Sequence, residues 1–513
     1  MSTTSTVTGT LSSPGIGSGL DVNSIVSKLV AVESLPLQVM QTQAAGIQTD
    51  ISTFGQISSD LSALETASSA LQDQTTWKAL TLSSNSPTAI TGSTSSGALA
   101  GSLSVQVNNL ATSQTVASAA VPNTAAGAAG TIGTAGTLTI QMGTWNSDGS
   151  FTNAAGVSGG TAPAPVTVTV SATDTLATIA AHINSQSSAA GVSAQVVTSG
   201  NNQSLLITGN ATGAASGFMI TPDAGTDGNG AANPLGSLSS LGYQPTVPAS
   251  TTTTNGVVSP AHLGGMTQST AASDASLVIQ GIAVTSASNN VTSALSGVTL
   301  NLLATTTSPV QITMAVDTSS ISTKIQAFQT AYNQLNSDIA ANTAYDSSTK
   351  TGGPLLGDTT TYGIQNMVRS ILGANGPTNS SIGRLSDLGL QIQADGSLTT
   401  NSTTLAAALQ NPSNVQNFFA NVSADGSNDG IATRMYNFAF GALGVGGVAT
   451  LHTAGYQAQL TTNTSNQATF NTHIAAYQSQ LLAQYNALDT TMGSLSSLSS
   501  FVTAQLAQWS KSS

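Results

Sequence analysis

Apolar residues recur along this chain with two different periods, and the change from one to the other divides it into segments. Val22, Ile25, Val26, Leu29 and Val30 fall at i, i+3, i+4, i+7 and i+8, one face of a helix that Asp21 can cap and Pro36 interrupts. Leu37, Met40, Ala44, Ile47, Ile51 and Phe54 then alternate spacings of three and four. Ile57, Leu61, Leu64 and Leu71 continue the stripe after a slip near Ile57, which reads as a heptad seam with a stammer. At about 1.5 Å per residue this helix spans roughly 50 Å. A second seam runs through Ile321, Ile325, Phe328, Tyr332, Leu335 and Ile339, with Asp317 placed to cap it. A third follows Phe470, Ile474, Tyr477, Leu481, Tyr485, Leu488, Met492 and Leu495, and Val502, Leu506 and Trp509 carry it onward. Three seams so far apart pack most simply as an antiparallel bundle or coiled coil.

Between the first two seams the period falls to two. Thr81–Thr91, Ser102–Val107, Val166–Val170, Val192–Thr198, Ser204–Thr208, Ser276–Val284, Val298–Leu303 and Val310–Val316 read as strands separated by Gly, Pro and Asn. One short helix intrudes, with Leu176, Ile179, Ala180 and Ile183 on a face that Asp174 would cap. The stretches 116–165 and 223–270, rich in Gly and Ala, read as loops or linkers. After the second seam, Asp358 can cap a helix carrying Ile364, Met367, Val368 and Leu372. Leu388, Leu390 and Ile392 alternate toward an Asp395-Gly396 turn with Leu398 returning. Asn401 and Pro412 open two more helices, and Phe418, Phe419, Phe438 and Phe440 are expected in the core.

The pattern predicts a multidomain α+β fold: long N- and C-terminal coiled-coil helices packed together, with β-rich head domains inserted between them. The segments are 1–36, an N-terminal segment ahead of the long helix; 37–79, the first coiled-coil helix; and 80–115 with 271–316, one β domain. Residues 116–270 form an inserted outer β-rich domain, 317–489 the rest of the helical domain with its small hairpin, and 490–513 a C-terminal helix.

Composition changes this picture in one respect. Only 5% of the 513 residues are charged, against about 25% in an average protein. Eight are Lys or Arg against 20 Asp and Glu, a formal charge of −12, and no basic residue lies between Lys78 and Lys324. No cationic face exists for nucleic acid or anionic membrane. The chain has no Cys, hence no disulfide or thiolate metal site. The opening MSTTSTVTGTLSSPG has neither a basic segment nor an apolar core, so it does not read as a cleavable secretory signal. That leaves the cytoplasm or export by a route that reads no cleaved peptide, and the low charge and Ser/Thr/Asn richness favour the second. No membrane insertion is expected either, since no apolar run approaches about 20 residues.

Candidate chemistry is thin. Gly15-Ile16-Gly17-Ser18-Gly19 follows a Ser/Thr-rich tail rather than a strand, so it reads as a turn into a helix and not as a dinucleotide loop. His182, His262, His452 and His473 are scattered, with no acidic or His partner at ligand spacing. Asp223/Asp227 and Asp425/Asp429 sit among Gly and Asn, as turn residues do. No nucleophile elbow or Walker loop appears. The chain reads as a structural protein with no catalytic, cofactor or metal site.

The ordered motifs resemble the flagellar hook-associated protein 2 family, the filament caps of bacteria. Gly15–Val26 with Leu29-Val30 and Leu35-Pro36-Leu37 is similar to that family's opening signature. Thr178–Asn184 with Gly191–Ala194 resembles the hook IN motif of flagellar axial proteins. Leu295–Leu300, Phe328–Leu335, Gly353–Asp358, Asp387–Thr399, Leu405–Leu409 and Val415–Phe419 match family patches in the right order. The resemblance implies a homo-oligomeric ring at the extracellular flagellum tip, exported through the flagellar type III apparatus, that guides flagellin into place. It further implies hook-associated proteins at the hook–filament junction and an export chaperone as partners, and host mucin or receptors for residues 116–270. Flagellin or a junction protein is the alternative within the structural class. The resemblance makes 37–79 and 317–489 the subunit's rod, 1–36 an assembly segment disordered until docked and 490–513 an assembly helix. An assembly interface is then expected at Leu20, Val22, Ile25, Val26, Leu29, Val30, Leu495, Val502, Leu506 and Trp509. The remaining seam residues would build the subunit's own coiled coil: Leu37, Met40, Ile47, Ile51, Phe54, Leu61, Leu64, Ile321, Ile325, Phe328, Tyr332, Phe470, Ile474, Tyr477 and Leu481.

Overall fold

In the computed structural model, residues 21–122, 135–154, 164–224, 238–244 and 265–511 are described. Their helices in chain order are α1 Val22–Glu33, α2 Leu35–Gln72, α3 Gln74–Lys78, α4 Leu176–Ser185, α5 Ser187–Ala190, α6 Thr318–Thr343, α7 Thr359–Gly373, α8 Ser402–Ala408, α9 Pro412–Ala420, α10 Ile431–Leu443 and α11 Val448–Lys511. The chain folds as two units, one from residues up to Trp77 and from Thr318 onward, the other Lys78–Asp317. The fold is α+β.

The helical unit is organised around α2, which packs against α6, α10 and α11. The break expected at Pro36 is present: α1 stops at Glu33 and α2 starts at Leu35, with Pro36 in its first turn, where the missing N–H costs nothing. Burial follows the heptad seam with its stammer. Phe54, Ile57, Leu61, Leu64 and Leu71 are fully buried, the two successive steps of three falling at Phe54 and Ile57. Leu37, Met40, Ala44, Ile47 and Ile51 on the same stripe are half-buried. On α6, Ile321, Ile325, Phe328, Tyr332, Leu335 and Ile339 are all buried. The sequence pattern missed α10, whose Ile431, Ala432, Met435, Ala439 and Ala442 form its inner face. Small alanines let it lie close to α2, and they carry too little hydrophobic contrast to mark a stripe. Phe418 and Phe419 are core residues, grouped with Trp77 and Phe328, but Phe440 is 58% exposed and Phe438 only half-buried. The stretch Ile431–Ser510 is long and apolar enough to cross a membrane by length and composition. Its helix breaks at Gly444–Gly447, however, and the α10 half spends its inner face on α2.

The β unit holds two cores. One takes Ile90, Leu103, Val105, Val107, Leu277, Val291, Leu300 and Ile312 from the two flanking segments. Strand Leu80–Ser84 pairs with Val310–Val316, which pairs with Gly101–Asn109, then Ala275–Ile279 and Ile282–Ser286; Ile90–Thr94 joins a second sheet beside Val298–Leu302. Two single strands expected from sequence are each split. Thr81–Thr91 breaks at Asn85–Pro87, where Asn85 Oδ1 accepts from Gln311 N at 3.0 Å. Ser276–Val284 turns back at Gln280 and Gly281, with φ of 50° and 84°.

The other core lies within 116–266. Here Gly136–Trp145, in a stretch expected to be loop, is a ten-residue strand paired with Val166–Val170 and Gly217–Ala224. The α4 cap is Thr175, not Asp174: its hydroxyl accepts from Thr178 N at 3.3 Å, and Thr178 Oγ1 accepts from Thr175 N at 2.8 Å. Asp174 accepts from Ser171 N instead.

Candidate assembly interface

The residues expected to face a partner lie on α1 and the distal part of α11. Asp21 caps α1 by accepting from Ser24 N at 3.0 Å. α1 then runs antiparallel to α11, with Glu33 opposite His473 at 3.9 Å and Val22 and Val26 packed beside Tyr477, Leu481, Leu482 and Tyr485. Val22 and Val26 are 1% exposed, so their apolar surface is already covered within the chain and not held in reserve. Ile25 and Val30 are half-buried, Leu29 is 36% exposed, and Leu20 lies outside the described residues.

Along α11 the stripe is covered only as far as α1 reaches. Phe470, Ile474, Tyr477 and Tyr485 are half-buried and Leu481 is buried. From Leu488 onward the same face opens. Met492, Leu495, Leu498, Phe501, Val502 and Leu506 are 40–62% exposed, and Trp509 is 76% exposed. Leu498 and Phe501 were not among the expected interface residues. They follow the stripe through the Ser/Leu-rich run Gly493–Phe501, whose serines masked the period. A helix this poor in charge is kept polar by Thr: the hydroxyls of Thr461, Thr462, Thr469, Thr490, Thr491 and Thr503 each donate to the carbonyl four residues earlier.

Further up α11, His452 and Tyr456 converge on Asp358, the N-cap of α7. Asp358 Oδ2 accepts from His452 Nε2 at 2.6 Å and from the Tyr456 hydroxyl at 2.8 Å, while Oδ1 accepts from Thr361 N at 2.7 Å. Phe54 lies edge-on to His452 with centroids 4.7 Å apart. Burial works to raise the Asp358 pKa, but the Thr361 N–H, the Tyr456 and Thr361 hydroxyls and His452 outweigh it, and the net shift is downward. Burial and the bond to Asp358 push the Tyr456 hydroxyl up. The histidines are therefore not isolated: His182 also faces Asp174 at 3.5 Å. His262 lies outside the described residues. Each of these is a His–carboxylate pair, and no group of three or more His, Cys, Asp or Glu that could hold a metal occurs among the described residues. Asp425 and Asp429 are turn residues, accepting from Ser427 and Ser423 respectively. Asp227 lies outside the described residues.

Comparison with known proteins fits this geometry. Family models for the flagellar hook-associated protein 2 N-terminus and C-terminus match residues 18–114 and 272–497, and the flagellin hook IN motif matches 151–210. The chain belongs to the flagellar hook-associated protein 2 family. It is 29% identical over 505 residues to the flagellar hook-associated protein 2 of Escherichia coli K12, covering 96% of this chain and 98% of that one. It is 27% identical to the B-type protein of Pseudomonas aeruginosa PAO1, over 96% and 97% of the two chains. The crystal structure of the D1-D2-D3 domains of the Escherichia coli flagellar cap protein FliD covers 79% of this chain and 99% of its own, with a TM-score of 0.53 at 28% identity. The family is structural and not enzymatic.

Proposed function

We propose that this chain caps the distal end of a bacterial flagellar filament. Subunits exported by the flagellar type III route, escorted by a chaperone, assemble into a ring of identical chains that holds flagellin at the growing end. Hook-associated proteins of the hook–filament junction are the surface on which that ring first forms. The observation that carries this reading is the distal stripe of α11. Seven large side chains from Leu488 to Leu506, none less than 40% exposed, line a helix with almost no charge. Contiguous apolar surface of this kind marks an interaction site. At about 25 cal/mol per Å² of apolar area buried, docking such a stripe can offset the cost of ordering the helix end.

Deleting the gene from a flagellated host tests the role. A cap predicts cells without filaments and flagellin released into the medium, restored by the full chain. Normal filaments in the deletion strain would sink the reading, and loss of the main filament subunit itself would point to flagellin.

A further inference from the structure

The α2–α6 interface contains a carboxyl pair. Asp60 on α2 is 5% exposed. Its Oδ1 accepts from Gln56 Nε2 at 3.0 Å, one turn back on the same helix. Its Oδ2 is buried and receives no hydrogen bond from a protein donor. The group that meets Asp60 across the interface is Asp338 of α6, within hydrogen-bonding contact. Asp338 Oδ2 in turn accepts from Gln334 Nε2 at 3.0 Å. Two ionised carboxylates have only acceptors to offer each other. One proton between them turns the contact into a strong O–H···O⁻ bond and satisfies the stranded Oδ2.

The charged groups on the surrounding helices are engaged elsewhere. Lys324, several turns away on α6, donates to Thr76, Arg369 of α7 to Asn336 and Arg434 of α10 to the Asn375 carbonyl. His452 and Tyr456 of α11 bind Asp358, and Asp50 of α2 lies within the field of that same carboxylate. His473 of α11 faces Glu33 of α1. Lys28 of α1 lies beyond the opposite end of α2, Glu65 projects from a different face of α2, and α9 carries no titratable side chain.

We propose that Asp60 and Asp338 form a proton-operated latch between α2 and α6, closed when they share a proton and loosened when both ionise. Burial first, and then the neighbouring Asp338, pushes Asp60 up to about 6, while Gln56 pulls it down. Unfolded, an Asp titrates near about 3.9. A carboxyl raised on folding contributes stability that is complete below the unfolded value and is lost as pH rises through the folded one. The latch therefore holds in mild acid and slackens towards neutrality.

The test uses the full chain, its thermal unfolding followed by far-ultraviolet circular dichroism at pH 5.0 and 7.5. Asp60→Asn supplies an N–H donor to Asp338 at every pH, and Asp338→Asn does the same in reverse. Going from pH 5.0 to 7.5, the native chain should lose roughly 3–6 °C of Tm relative to either variant. An unchanged difference at the two pH values would overturn the latch. A readout on the native chain does not depend on the variants folding: with ¹³C-carboxyl Asp, infrared spectra should show a buried protonated carboxyl at pH 5.0 that vanishes by pH 7.5. No such band at pH 5.0 would equally overturn it.

Discussion

Asp358 shows how one side chain ties separate stretches of this chain together. It caps α7 through Thr361 N and collects His452 and Tyr456 from α11, residues 94 and 98 positions away. Only the cap was legible in sequence, because a cap is local, whereas the histidine's partner is brought to it by the fold. Replacing Asp358 with Ala removes the cap and leaves two half-buried donors without their acceptor, so a loss of about 1–3 kcal/mol is expected, measured by denaturant unfolding at pH 7. The pH dependence has a definite sign. Asp358 is held below its ordinary value, so its contribution is present above the unfolded pKa and fades as pH falls through the folded one. The gap between native and Asp358→Ala chains should close in acid, below about pH 4. A gap as wide at pH 3 as at pH 7 would show that the carboxylate's charge plays no part. The Asp60–Asp338 pair has the opposite sign, so the two acid sites titrate the same helical unit in opposing directions.

At the scale of elements, legibility followed the strength of the local period. The α2 and α6 stripes were readable because large aliphatic and aromatic residues alternate with polar ones, and the stammer at Ile57 showed as two consecutive steps of three. Strand Gly136–Trp145 was not, because Gly and Ala surround it and its alternating Leu138, Ile140 and Met142 form too short a signal. The 275–286 hairpin failed for another reason. Its turn is Gln280-Gly281, and Gln at φ 50° is not a residue that announces a two-residue turn. Gln280→Gly removes the left-handed penalty, and a gain of about 0.5–1 kcal/mol is expected. Gly281→Val, at φ 84°, should instead cost about 1–2 kcal/mol through backbone strain, since its Cβ would meet open space. Urea midpoints of the two variants compared with the native chain decide this, and equal shifts would contradict the turn geometry.

Considered as a whole molecule, the chain divides its apolar helix surface between two uses. The proximal two-thirds of α11 is spent inward, on α2 and on the Val22 and Val26 face of α1. The distal third is not. This difference separates two classes of substitution. Leu481→Ala opens the small cluster that seats α1, where the contacts are few and peripheral. It should free the amides of residues 22–30 to exchange about tenfold or more faster, while the main unfolding transition stays within about 2 °C. Leu495→Ser combined with Phe501→Ser touches side chains that are 59% and 62% exposed, so subunit stability should shift by less than about 0.5 kcal/mol. The same double variant should nonetheless fail to restore filaments to a strain lacking this protein, because its loss falls on the docked state alone. If it restores filaments to full length, the distal stripe is not where the cap meets its partners. If it unfolds the isolated chain instead, the stripe is part of the subunit's own core.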